Sequence, residues 1–133
     1  MLVRCTTIDV RTLEARHGTG SLWFSQAGSV ALRPGKSYLV FAVVVHGGTT
    51  LVYLIDEDET AYPVPYPAEL FAVVDPRGPE FACVFDQYEQ SGKTELEVRF
   101  SFVEWAKDRL FYERLIDGDA RHLLPTLYSR CER

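Results

Sequence analysis

Between residues 38 and 67 the chain alternates structure-forming and structure-breaking residues so sharply that few folds remain open to it. Tyr38 to Val45 is an uninterrupted apolar run and Leu51 to Ile55 is a second, with His46-Gly47-Gly48-Thr49-Thr50 between them. Three consecutive valines, Val43 to Val45, are stiff at χ1 and argue against a helix. The paired glycines supply the positive φ angles of a tight hairpin, so the two runs are expected to pair antiparallel. A strand that is apolar on both faces is either covered on both sides or lines a closed barrel. Pro63, Pro65 and Pro67 follow. Lacking amide hydrogens, they exclude a central strand and favour an extended, polyproline-like or edge path, with Val64 and Tyr66 projecting between them.

The remaining segments extend the same pattern. Leu2 to Thr7 reads as a short strand, Asp9 as the cap of a brief helix through Arg16, and Pro34-Gly35 as a turn leading out of Trp23-Phe24 and Val30-Ala-Leu32. Glu69 to Val74 and Phe81 to Phe85 read as strands divided by Asp75-Pro-Arg-Gly-Pro79, and Gln90 to Lys93 as a turn. Thr94 to Phe100 alternates strictly, with Leu96, Val98 and Phe100 on one face and Glu95, Glu97 and Arg99 on the other. Asp86, Glu89, Glu95 and Glu97 then read as the solvent side of a hairpin.

Ser101 and Glu104 match a capping box, opening a helix whose stripe is Val103, Ala106, Leu110, Phe111 and Leu115 and whose stop is Gly118. A last short helix is expected from Pro125, carrying Leu127 and Tyr128 inward. The sum is one α+β domain over residues 1–133. It is expected to be a small curved antiparallel β-sheet or an SH3-like barrel, with a C-terminal helix.

Charge narrows the partners. Fourteen basic against 19 acidic side chains give a formal charge of −5. That disfavours nucleic acid and anionic membranes, whose phosphates demand clustered Lys and Arg, and favours a basic protein if the partner is charged. Cys5, Cys83 and Cys131 are scattered without a CxxC pair, and His17, His46 and His122 lack ligand spacing, so neither metal nor cofactor is expected. The longest apolar run has eight residues, against the roughly 18–20 a membrane span requires, and no apolar leader opens the chain. The expected location is the reducing cytoplasm.

Catalytic motifs are missing from the sequence: there is no GxSxG elbow, phosphate loop or HExxH helix. Cys83 and His46 would form a nucleophile pair only if they met, and strand cysteines are usually inert core residues. Asp56, Asp58 and Glu59 lack the spacing of an EF-hand loop. The reading is therefore not an enzyme. Four successive carboxylates, Asp56, Glu57, Asp58 and Glu59, stand beside Tyr62 and Tyr66. They form either a solvated turn whose tyrosines anchor the proline edge, or a partner-binding tip rich in the aromatic area typical of interface hot spots. Phe100, Phe102, Trp105, Phe111 and Tyr112 read as core plus helix flank.

Several short motifs fall into a recognisable order. They are Gly35-Lys36-x-Tyr38-x-Val40-x-x-Val43, Tyr53-Leu-Ile-Asp-Glu-Asp58, Pro65-x-Pro67-Ala-x-Leu-Phe71-x-x-Val74-Asp75, Phe102-x-x-Trp105-Ala, Phe111-Tyr112-Glu-x-Leu115 and Asp117-Gly-Asp119. Together, over residues 35–119, they resemble small bacterial immunity proteins of polymorphic toxin systems, of the contact-dependent or type VI/Rhs kind. One departure is Phe81 and Cys83 in a strand where such proteins often carry Trp. The resemblance implies a cytoplasmic protein that binds a cognate toxin and occludes its active site, with Asp56, Glu57, Asp58, Glu59, Tyr62 and Tyr66 as contacts toward a basic cleft. A non-catalytic adaptor binding a peptide or protein subunit is the alternative.

Overall fold

The computed structural model describes residues 1–9 and 30–131. The helix expected after Asp9 and the Trp23-Phe24 segment lie outside them. Among the described residues there are eight strands: β1 (Leu2–Cys5), β2 (Ser37–Leu39), β3 (Ala42–His46), β4 (Thr49–Leu54), β5 (Val64–Pro67), β6 (Phe71–Asp75), β7 (Ala82–Gln90) and β8 (Lys93–Ser101). They form two antiparallel sheets, β2-β1-β6 and β5-β4-β3-β8-β7. Helices α1 (Val103–Ala106), α2 (Phe111–Asp117) and α3 (Leu124–Cys131) follow. The chain is thus α+β, and the sheets remain open without closing into a barrel.

The long apolar run is one stretch of chain serving two sheets. It breaks at Val40-Phe41, where β2 leaves the three-stranded sheet and β3 enters the five-stranded one. The corner keeps its hydrogen bonds, Val40 N–H donating to Met1 O at 3.1 Å and Phe41 N–H to Tyr53 O at 2.9 Å. This explains the two apolar faces. Val40 points into a core with Val3, Tyr38, Leu54, Tyr66 and Leu70 between the sheets. Phe41 points into a second core with Phe102, Trp105, Phe111, Leu115 and Leu127 under the helices.

Local chemistry accounts for the turns. Gly47 and Gly48 adopt φ of 57° and 79°, closing β3 onto β4 with His46 opposite Thr49. β5 is the edge of its sheet, as its prolines require. Residues two apart in a strand point their amides to the same side, so Pro65 and Pro67 withhold donors from the outer edge alone. After β5 a 3₁₀ turn, Ala68–Leu70, carries the chain back to the three-stranded sheet as β6.

The C-terminal elements depart from the sequence reading. Ser101 does not cap a helix; it ends β8, is fully buried, and donates its hydroxyl to Phe41 O at 2.7 Å. Glu104 pairs instead with Arg130 at 3.0 Å. The expected single helix is two, because the chain turns after Ala106 and Asp108 accepts the Leu110 amide at 3.0 Å. Gly118 does stop α2, at φ 94°. Tyr128 is 43% exposed, so α3 turns Leu127 inward without it.

Candidate functional site

The acidic turn is assembled from the β4–β5 connection, and its six singled-out residues do gather there. Their exposures differ. Asp56 and Tyr66 are buried, at 5% and 1%, with the Tyr66 hydroxyl donating to Asp56 Oδ2 at 2.7 Å. Asp56 Oδ1 accepts the Asp58 amide at 3.1 Å. Glu57, half-buried, accepts the Tyr38 hydroxyl at 2.6 Å and Lys36 Nζ at 2.8 Å, and these partners, Lys36 first, hold its carboxyl below the usual range. Tyr62 packs edge-on to Tyr112, centroids 6.2 Å apart, beneath the Arg121 guanidinium at 5.3 Å. Only Asp58 and Glu59 are exposed. The turn therefore offers two free carboxylates on a tip fixed from below by Asp56 and Glu57.

The larger surface feature was not singled out in the sequence. The five-stranded sheet turns one face to the three-stranded sheet, which is too narrow to cover it. Over β7 and β8 that face carries Cys83, Phe85, Leu96, Val98 and Phe100, since directly opposed residues share a side and Cys83 faces Phe100 while Phe85 faces Val98. Phe85 is 70% exposed, Leu96 56% and Phe100 37%. Val73 of β6, on the facing sheet, adds 60%. Between the two sheets this face opens into a groove of about 400 Å³, lined by Met1, Val43, Phe71, Val73, Phe81 and Phe100, with Thr50 as the one polar side chain on its wall among the described residues. Exposed apolar clusters of this kind mark docking surfaces more often than solvent faces. Gly78 packs against the Met1 backbone so closely that a Cβ there would collide with it, which seats Met1 in the groove wall.

The opposite side of the β7–β8 hairpin corrects the expectation of a solvent face. Arg99 is 3% exposed, with Nη1 on Glu97 at 2.9 Å, Nη2 on Asp86 at 3.1 Å and Nε on the Ala106 carbonyl at 3.1 Å. Asp86, Glu95 and Glu97 are half-buried on this side; Glu89 is exposed and lies on the other side of β7, with Phe85. The alternation was legible, but the charged side is the one packed toward the helices and the apolar side is the one left open. Nearby, His46 Nε2 meets both the Glu95 carboxylate and the Tyr88 hydroxyl, its ring stacked on Tyr88 at 5.4 Å. Burial and the charges of Glu97 and Glu95 push Tyr88 up. This cluster ties β3, β8 and β7 together near their hairpin ends.

Cys83 is exposed, on the face away from the His46 cluster, while Cys5 and Cys131 are buried. The pattern of a strand cysteine in the core thus holds for Cys5 and fails for Cys83. Among the described residues no group of three or more His, Cys, Asp or Glu is placed to hold a metal ion, and no helix is long and apolar enough to cross a membrane. Comparison with protein-family models, curated proteins and solved structures finds no match.

Proposed function

We propose that this chain is a toxin-neutralising immunity protein: it acts in the cytoplasm of the producing cell by docking on a cognate toxin domain and covering its active site, without turning over a substrate. The observation that carries the reading is the contiguous apolar face around the 400 Å³ groove, with Val73 and Phe100 open on its rim. A rigid sheet surface of this kind supplies the dry centre that stable protein interfaces require. The formal charge of −5 and the free carboxylates of Asp58 and Glu59 suit a toxin whose cleft is basic. In this division of labour the groove holds the partner and the acidic tip steers it.

The test is co-expression with the toxin domain encoded beside this chain. The wild-type protein should protect the cell. Phe100→Asp and Val73→Asp, both at exposed positions, should abolish protection while leaving the circular-dichroism spectrum unchanged. Asp58→Lys with Glu59→Lys should slow association several-fold at low salt and less at high salt. Protection that survives both groove substitutions would remove the apolar face from this account.

A further inference from the structure

Strand β7 ends the five-stranded sheet and pairs only with β8 among the described residues, so its outer edge is open to solvent along nine residues, with the Gln87 amide taken by Asp86 Oδ1 at 2.9 Å. Edges of this length are ordinarily guarded by proline, a bulge or an inward charge. β7 has no proline, and its pairing with β8 runs from Ala82 to Gln90 without a register shift. Of its acidic side chains, Asp86 is turned to the helix side and bound by Arg99, and Glu89 lies near the hairpin tip. The half from Ala82 to Phe85 is unguarded, and it ends on the most exposed large apolar side chain of the described residues, Phe85 at 70%.

We infer that this edge is closed by a second copy of the chain, β7 pairing antiparallel with its two-fold mate about Phe85 to join two five-stranded sheets into one of ten strands. The choice of a second copy rests on the complementarity of the strand to itself. A two-fold axis perpendicular to the sheet keeps the same face of both copies on the same side, so the axis must pass through a residue. Centred on Phe85, Asp86 lies opposite Val84, Gln87 opposite Cys83 and Tyr88 opposite Ala82. No like charges meet, and the two Phe85 rings cover each other as a cross-strand aromatic pair. Centred on Asp86, two carboxylates would face one another. Centred on Gln87, Phe85 would lie against Glu89. Phe85 is outside the groove wall, so the pairing leaves that groove open in each copy.

Sedimentation equilibrium of the full chain from micromolar to several hundred micromolar tests the pairing. A reversible monomer–dimer equilibrium is expected, and Phe85→Lys should weaken it at least tenfold, with a thermal midpoint equal to that of the wild type at concentrations where both are monomeric, because the side chain is mostly in solvent. The register has its own readout. With Gln87→Cys, the introduced thiol lies opposite Cys83 of the second copy, within the Cα separation a disulfide spans, and mild oxidation should yield a covalent dimer. Glu89→Cys, out of register by two residues, should not. A monomer throughout the concentration range, or a dimer indifferent to Phe85→Lys, overturns the inference. Equal crosslinking from positions 87 and 89 overturns the register.

Discussion

The Tyr66 hydroxyl donates to Asp56 Oδ2 at 2.7 Å where both side chains are almost wholly removed from solvent. One bond thereby fixes the base of the acidic tip to the proline strand. Tyr66→Phe keeps the ring's packing and withdraws the donor, leaving a buried carboxylate short of a partner. The expected loss is about 1–3 kcal/mol, read from the urea midpoint at unchanged slope. Asp58→Ala, at an exposed carboxylate of the same turn, should shift the midpoint little.

Alkali should unfold the protein in a narrow window. Burial pushes Tyr38 and Tyr53 up to about 12, with the Glu57 hydrogen bond adding to the first and the Glu97 charge to the second. Burial raises Tyr66 and Tyr112 as well. An unfolded tyrosine ionises near 10, so above that pH the unfolded chain has shed protons the folded one keeps. Stability contributed by these groups is complete below pH 10 and falls as pH climbs toward 12, by about 1.4 kcal/mol per pH unit for each such tyrosine. Tyrosinate absorbance from these four rings should therefore appear together with loss of the circular-dichroism signal. Smooth ionisation of all seven tyrosines in an intact fold would contradict the burial described.

What could be read from residues alone was whatever a single residue type dictates about its own backbone. Gly47-Gly48 closed the expected hairpin, Pro65 and Pro67 lay on an edge, and Gly118 stopped a helix, because each claim rests on an allowed φ or a missing donor. Decisions that depend on the far side of the molecule were not legible. An apolar run covered on both faces looks identical to one that changes sheets at Val40-Phe41. Strict alternation in β8 defines two faces without saying which is buried, and here Arg99 went in while Leu96 stayed out. The acidic turn was found as a cluster. That Asp56 belongs to the core depended on Tyr66 arriving from the neighbouring strand.

Arg99 fastens the hairpin to the first helix through two carboxylates and the Ala106 carbonyl. Its hydrogen bond is the main reason Asp86 stays ionised below the usual carboxylate range. Arg99→Ala should cost about 3 kcal/mol, the low end for a buried pair, because Asp86 and Glu97 retain partial solvent access and regain water. Arg99→Lys should recover only part of that loss, since one ammonium cannot reproduce the guanidinium fork. With Asp86's carboxyl held low, its share of stability is present above the ordinary carboxylate pKa and lost as pH falls through the depressed value. Arg99→Met should therefore flatten the acid limb of the stability profile.

Ser101 and Glu104 separate two accounts of the same four residues. Under a capping box, removing either side chain would fray one helix by similar amounts, about 1 kcal/mol. In the observed fold they do unrelated things. The Ser101 hydroxyl satisfies the Phe41 carbonyl at the corner where the chain changes sheets, with both residues out of water, while Glu104 makes an exposed pair with Arg130. Ser101→Ala strands a buried carbonyl and should cost about 1–3 kcal/mol; Glu104→Ala removes a surface pair and should cost about 0–1 kcal/mol. Their double mutant should be additive, because the two side chains share no partner. Equal single effects with strong coupling would restore the capping box and undo the assignment of Ser101 to the corner.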